Sequence, residues 1–244
     1  MSRFFVSPEK VRDNLIVIDD RDDLHHMIKV LRLSEGDEID ISDCNEWEYR
    51  AKLVYLDKEQ AEARILDKQK FSAEPSIAVT LFQGISKQGK MEFIVQKSVE
   101  LGVKEIVPVF MARTVVADKG NFGKKIQRWQ KVSDEAVKQC RRGIIPEVCR
   151  PMKTDDALKK FGDFDLVLFP YENESGVTIK DVLRGCEGVK SIAVIIGPEG
   201  GFSDAEAEAV VEAGGRSVSL GKTVLRTETA GMAALAMIMY EMEL

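Results

Sequence analysis

The chain has 244 residues, 44% hydrophobic and 31% charged, with a formal net charge of −6, ordinary globular material and enough for two domains. No apolar run approaches the roughly 20 residues that cross a bilayer, and the opening Met-Ser-Arg-Phe-Phe-Val lacks the basic-then-apolar layout of a signal peptide, so a soluble, cytoplasmic protein is expected. Cys44, Cys140, Cys149 and Cys186 form no Cys-x-x-Cys pair and only His25 and His26 offer imidazoles, which speaks against a disulfide framework or a zinc site; no metal is expected.

The first seventy residues read as β-rich. Phe4–Val6, Leu15–Ile18, Glu38–Ile41, Tyr49–Tyr55 and Gln60–Leu66 are short runs broken by Asp, Gly and Asn, a spacing that predicts a small barrel. Between them Asp22–Arg32 reads as a helix with an acidic start and a basic end. Lys68–Pro75 is polar and closed by a proline, which makes it the expected linker; the expected domains are 1–72 and 73–244.

From Ile77 apolar strands alternate with longer amphipathic helices, the rhythm of a parallel α/β sheet. Strands are predicted at Ile77–Gln83, Glu105–Phe110, Leu166–Phe169, Ile192–Ile196 and Ser217–Leu220, and helices at Met91–Leu101, Gly123–Arg141 and about Thr229–Met242. Ser203 and Glu206 have capping-box spacing for a further helix that Gly214-Gly215 would end. The last helix is apolar on nearly every face, which predicts burial in the domain or against a second subunit.

Charge is uneven along the chain. Residues 1–86 carry 12 basic and 18 acidic side chains, residues 87–153 carry 15 and 7, and residues 154–244 carry 8 and 16. A basic middle in an acidic protein fits one face that meets phosphates, although lysines on solvated helix faces would read the same.

Two loops hold the candidate chemistry. Gly197-Pro198-Glu199-Gly200-Gly201 follows an apolar strand and precedes a helix, where open α/β sheets place their ligands. The second, Leu220–Ala230, repeats the arrangement of strand, glycine loop and helix start. Neither is a dinucleotide fingerprint or a phosphate-binding Gly-x-x-x-x-Gly-Lys-Ser/Thr loop. Read alone, the first loop is equally a tight turn, and Arg226 with Glu228 equally a surface pair.

Leu-Phe-Gln-Gly-Ile-Ser-Lys at 81–87, Gln96–Val103 with Ile106-Val107-Pro108, Gly197–Gly201 and Leu220–Ala230, taken with Arg3-Phe4-Phe5 and His26–Arg32, resemble the ribosomal RNA small subunit methyltransferase E family. That resemblance implies a PUA-like β-barrel followed by a SPOUT α/β trefoil-knot domain, S-adenosyl-L-methionine as cofactor, methylation of uridine N3 in 16S rRNA, and a homodimer. The cofactor residues it implies are Phe169, Pro170, Glu172, Ile196, Gly197, Pro198, Glu199, Gly200 and Gly201, with Leu220, Gly221, Val224, Leu225, Arg226, Thr227 and Thr229. Arg142 and Arg226 are candidates to stabilise charge on the deprotonated uracil, and Glu199 or Glu228 to accept its proton or balance the sulfonium. The implied RNA contacts are Arg3, His26, Lys29, Arg32, Lys87, Lys90, Lys124, Lys125, Arg128 and Arg142. The sequence departs from the family at Lys138-Gln139-Cys140-Arg141-Arg142, where the family often reads Glu-Gln-Ser/Cys-Gly-Arg. The competing readings are a related methyltransferase with another RNA target and a non-catalytic ribosome-assembly factor; heat stability measured with and without cofactor separates the last.

Overall fold

The computed structural model describes residues 3–71, 73–87, 89–116 and 122–244. The chain divides into two compact units, residues 1–74 with 137–145 and residues 75–136 with 146–244. Ser72, within the expected linker, lies outside the described residues.

The first unit is a six-stranded sheet of β1 (Arg3–Phe5), β2 (Val11–Arg12), β3 (Leu15–Ile18), β4 (Glu38–Ser42), β5 (Trp47–Leu56) and β6 (Ala61–Lys70), in the spatial order β1-β4-β5-β6-β3-β2. Its pairs are antiparallel except for β1 with β4. Phe4, Ile16, Ile18, Ile39, Ile41 and Leu53 alternate into one core together with Leu24 and Met27. Those last two come from a helical segment that starts at α1 (Arg21–His25), where the Asp20 carboxylate accepts the backbone N–H groups of Asp22 and Asp23. The segment then widens into a π-helical turn over His26–Leu31 and stops at Arg32, which is left-handed at φ +53°. The expected linker begins too early in the sequence, because β6 stays paired with β5 through Lys70. There the Lys68 ammonium sits 4.0 Å from the centroid of the Trp47 ring, so a polar segment still packs.

The second unit is a parallel sheet. Its strands are β7 (Ala78–Gly84), β8 (Glu105–Phe110), β9 (Glu147–Val148), β10 (Met152–Lys153), β11 (Leu166–Pro170), β12 (Ser191–Ile196) and β13 (Arg216–Val218), in the order β10-β8-β7-β12-β11-β13, with β9 also beside β8. The helices are α2 (Lys90–Glu100), α3 (Phe122–Cys140), α4 (Thr154–Lys159), α5 (Ile179–Arg184), α6 (Asp204–Glu212) and α7 (Thr227–Glu243). β12 is buried at every residue from Ile192 to Ile196, as expected of a central parallel strand covered on both faces. From the edge strand β13 the chain returns to α7, which packs on β7, β12, α2 and α5. The buried side of α7 is Thr227, Gly231, Ala234, Leu235 and Ile238, while Tyr240 is exposed. Among the described residues no helix is long and apolar enough to cross a membrane.

Candidate functional site

Four parallel strands end on one side of the second unit, at Gly84, Pro170, Ile196 and Val218. The loops that follow enclose a cavity of about 810 Å³, at the carboxyl edge where such sheets place ligands. Its walls are Pro170–Glu172, Ile196–Phe202, Ser219–Glu228 and Lys90, with Glu174, Ser175, Thr178 and Ala230 completing them.

Three contacts explain why these loops sit together. Gly84 ends β7 directly under the first loop: a Cβ there would lie 2.7 Å from both Gly197 C and Pro198 Cδ, and closer still to Pro198 N. Only a residue without a side chain lets the two backbones approach so closely. Beside it the Gln83 side chain is fully buried, and its Nε2 donates to Gly84 O (3.1 Å) and to Thr227 Oγ1 (2.9 Å). The Thr227 hydroxyl in turn donates to Gly197 O at 2.6 Å. Gln83 and Thr227 thus fasten the first glycine loop and the start of α7 to the end of β7. Gln83 Oε1 has no hydrogen-bond partner among the described residues, a cost of roughly 1–3 kcal/mol for a buried acceptor that this fastening has to offset.

The first loop turns into α6 through the predicted capping box, in which Ser203 Oγ accepts from Glu206 N–H and the Glu206 carboxylate accepts from Ser203 N–H. Glu206 also accepts from Ala112 N–H (2.7 Å) and from the Thr154 hydroxyl (3.1 Å). Burial opposes its ionisation, but these donors together hold its pKa below the ordinary 4.5. Gly201 is left-handed at φ +67°, and the Glu172 carboxylate lies where its Cβ would crowd at 3.0 Å.

Lys90, the first residue of α2, reaches across the cavity wall. Its Nζ lies 3.1 Å from Glu228 Oε2 and 3.5 Å from Glu199 Oε1, so one ammonium bridges the two candidate carboxylates. Glu199 also accepts the Lys87 backbone N–H at 2.9 Å. Burial works against ionisation of Glu199, yet that N–H and the Lys90 charge hold it below its usual range. Glu228 is lowered by its own backbone N–H at the start of α7, a position that favours a negative charge, and then by Lys90. Both carboxylates are therefore ionised at neutral pH and are weak bases.

Of the residues expected at a cofactor site, Pro170, Glu172, Ile196 to Gly201, Leu220, Gly221 and Val224 to Thr227 line this one cavity. Phe169 and Thr229 do not line it. Phe169 is fully buried and supports the wall from behind, stacked on Tyr171 with ring centroids 4.9 Å apart. Thr229 lies in the first turn of α7, its N–H bonded to Arg226 O. Arg226 and Glu228 line the cavity; Arg142 does not. Arg142 belongs to the first unit, where it is buried and its guanidinium grips the Glu74 carboxylate at 2.8 Å; a group so held is not available to a substrate.

The expected RNA contacts separate in the same way. Lys29, Arg32, Lys87, Lys124 and Arg128 are exposed. Arg3 is instead structural: it pairs with Glu48 at 2.6 Å and donates to Arg141 O at 2.7 Å. His26 is half-buried with its ring edge-on to Phe4, and Lys90 serves the carboxylates. Arg141 has φ +60°, which gives a physical reason for the glycine the family often carries there. Lys138 pairs with Asp23 at 2.9 Å, and burial raises the Asp23 pKa against the effect of that lysine.

Glu105, Glu147 and Cys149 place three potential ligand atoms within 4.8 Å of one another. Burial and the Glu105 carboxylate both push the Cys149 thiol upward, and Sγ donates to Glu105 at 2.7 Å. A thiol kept protonated is a poor metal ligand.

Sequence reasoning, which expected Phe169–Glu172 with Tyr171 as a third wall, missed Gln83, Lys90 as a cavity residue and helices α4 and α5. Thr178 and Asp181 form a capping box at the start of α5, a signal present in the sequence but with Asp where Glu or Gln is usual.

Two family models match, an RNA methyltransferase domain over residues 73–239 and an RNA methyltransferase PUA domain over residues 18–66. A ribosomal RNA small subunit methyltransferase E from Bacillus subtilis is 32% identical over 91% of this chain and 89% of its own length. The chain belongs to the ribosomal RNA small subunit methyltransferase E family. A second relative of that name, from Buchnera aphidicola, is 34% identical over 86% of this chain and 82% of its own. A crystal structure of the Neisseria gonorrhoeae family member, bound to S-adenosyl methionine, is 32% identical, with a TM-score of 0.85 and 98% and 97% of the two chains covered. The two units of this family member are accordingly a PUA-like domain with a β-sheet and a parallel α/β methyltransferase domain.

Proposed function

We propose that this chain transfers the methyl group of S-adenosyl-L-methionine to N3 of one uridine in 16S rRNA of the small ribosomal subunit, in the cytoplasm. The observation that carries the reading is the convergence of both glycine loops on one cavity at the carboxyl edge of the sheet. Its charges fit the cofactor. Four carboxylates, Glu172, Glu174, Glu199 and Glu228, face three cations, Lys90, Lys222 and Arg226, leaving one negative charge for a ligand whose sulfonium and ammonium outweigh its single carboxylate.

When bound, the cofactor supplies a methyl already activated on sulfur, so the protein's task is positioning and charge. Gln83, Thr227 and Gly84 hold the loops in register. Backbone amides of both loops and the wall at Tyr171 hold the ligand, and Glu199 and Glu228 balance the sulfonium. In the transfer the N3 proton would pass to solvent water, the N–H electron pair it leaves behind would bond to the methyl carbon, and the carbon–sulfur pair would stay with sulfur. Arg226, exposed among the lining residues, stabilises negative charge that develops on the uracil carbonyls. Glu199 and Glu228 accept protons weakly, which suits charge balance better than proton removal. Lys29, Arg32, Lys87, Lys124, Lys125 and Arg128 take the RNA phosphates, and α7 with exposed Tyr240 is the proposed dimer face.

The test incubates the protein and labelled S-adenosylmethionine with small subunits and with naked 16S rRNA lacking the modification, and maps the methyl by nuclease digestion and mass spectrometry. Methyl on N3 of one uridine is the expected result. Cofactor binding without transfer to either RNA would replace this reading with that of an assembly factor.

A further inference from the structure

A second cavity, of about 570 Å³, lies in the same unit and is lined in part by residues of the segment that joins β7 to α2. Its apolar floor is Ile85, Met91 and Trp129, all nearly inaccessible, with half-buried Val116 beside them. Lys87, Lys125 and Arg128 surround that floor, with Glu92 as the single carboxylate among the described lining residues, so the charge they carry is opposite in sign to that of the first cavity. Glu92 is already engaged, by Arg128 at 2.6 Å and by Trp129 Nε1 at 3.3 Å. Lys125 lies over the Phe122 ring, and neither Lys87 nor Lys125 has a carboxylate partner among the described residues. Lys87 and Gly89 line the second cavity and Lys90 the first, and the Lys87 backbone N–H is bonded to Glu199 of the first.

From this arrangement we propose that the second cavity is a nucleotide subsite, which takes one nucleotide of the RNA substrate next to the modified one. The base enters the cavity over a floor of Ile85, Met91 and Trp129, beside half-buried Val116, and the flanking phosphates meet Lys87, Lys125 and Arg128. An apolar floor suits the body of a base, and the cationic rim suits the phosphate that comes with it. A cavity of this size holds a nucleotide. The proposal rests on the reading of the chain as an RNA methyltransferase and adds where its substrate is gripped.

The chain has two tryptophans, and Trp47 is in the first unit. In a Trp47→Phe protein, fluorescence therefore reports Trp129 alone. This protein is titrated with a 16S rRNA fragment, with uridine monophosphate and with inorganic phosphate. A Lys87→Ala, Lys125→Ala double variant is measured for RNA affinity against salt and for S-adenosylmethionine affinity by calorimetry. The RNA fragment should change Trp129 fluorescence saturably, uridine monophosphate weakly and phosphate not at all. The double variant should bind RNA about tenfold more weakly with a salt slope smaller by about two, roughly one for each phosphate contact removed, while cofactor affinity stays unchanged. An unaltered RNA affinity and salt slope, or RNA binding that leaves Trp129 fluorescence constant, overturns the subsite. Tight binding of the free nucleotide that RNA does not displace overturns the RNA assignment. Retained methyl transfer in any of these cases leaves the proposed function standing, whereas loss of cofactor binding by the unmodified protein defeats the function separately.

Discussion

Replacing Gly84 by alanine tests whether the close approach of β7 to the first glycine loop is what shapes the cavity proposed to hold the cofactor. Ordinary van der Waals contact begins near 3.4 Å, and an added Cβ lies 2.7 Å from Gly197 C and from Pro198 Cδ. The loop must therefore retreat by at least about 0.7 Å, since the obstacles are backbone and a proline ring, which cannot rotate away. Overpacking of this kind costs about 1–3 kcal/mol, a fall in melting temperature of roughly 2–12 °C for a unit of this size. A displacement approaching 1 Å in a positioning element lowers a rate by about 100-fold. Calorimetry with S-adenosylmethionine, single-turnover methyl transfer and thermal unfolding should all register the change. Gly162→Ala is the control, because nothing lies within 4 Å of its Cβ position and its effect should stay within about 0.5 kcal/mol. Gly84→Ala with normal affinity and normal rate would refute the argument.

Four further outcomes follow from the same contacts. Gln83→Leu keeps the volume but loses both Nε2 bonds; relief of the unpartnered oxygen leaves stability little changed, whereas cofactor affinity should fall by roughly 5–30-fold, one or two kcal/mol, and equal affinity would sink the fastening role. Lys90→Met removes the bridging charge, so Glu199 and Glu228 should titrate closer to their ordinary 4.5 and cofactor binding should weaken at higher pH on the acid side; superimposable pH profiles would count against it. Because the folded pKa of Glu206 is lowered, its stabilisation is complete above the unfolded value near 4.5 and is lost as pH falls through the folded one; Glu206→Gln should destabilise at pH 7 and flatten acid unfolding in that window. Arg141→Gly removes a side chain held at φ +60° and should stabilise by about 1 kcal/mol, seen as a higher melting temperature; a lower one would mean that the side chain makes contacts worth more than the strain.

Where hydrophobic period and local chemistry agree, the sequence was enough. The strand Ile192–Ile196 running into glycines, the Ser203–Glu206 capping box, and the longer strands and helices after Ile77 (β7, β8, β11 and β12 with α2, α3, α6 and α7) follow from residue pattern. Two-residue strands such as Glu147–Val148 exist only because a longer neighbour supplies their partners, so no local pattern marks them. Gln83 and Lys90 were illegible as site residues for another reason: their roles depend on contacts with Thr227, Gly197, Glu199 and Glu228, more than a hundred positions away. Arg142 shows the converse, a basic residue in a basic stretch whose charge is spent on an internal carboxylate.

That carboxylate has a bearing on how the protein can be dissected. Glu74 accepts from the backbone N–H groups of Gly143 and Ile144 as well as from Arg142, and the Ser42 hydroxyl donates to Gly143 O. The first unit is thus completed by residues translated about seventy positions after its last strand. Cutting the gene after codon 72 would release a polypeptide that lacks Glu74 and its whole set of partners, so the PUA-like unit is separable on a map of domains but not with a single cut.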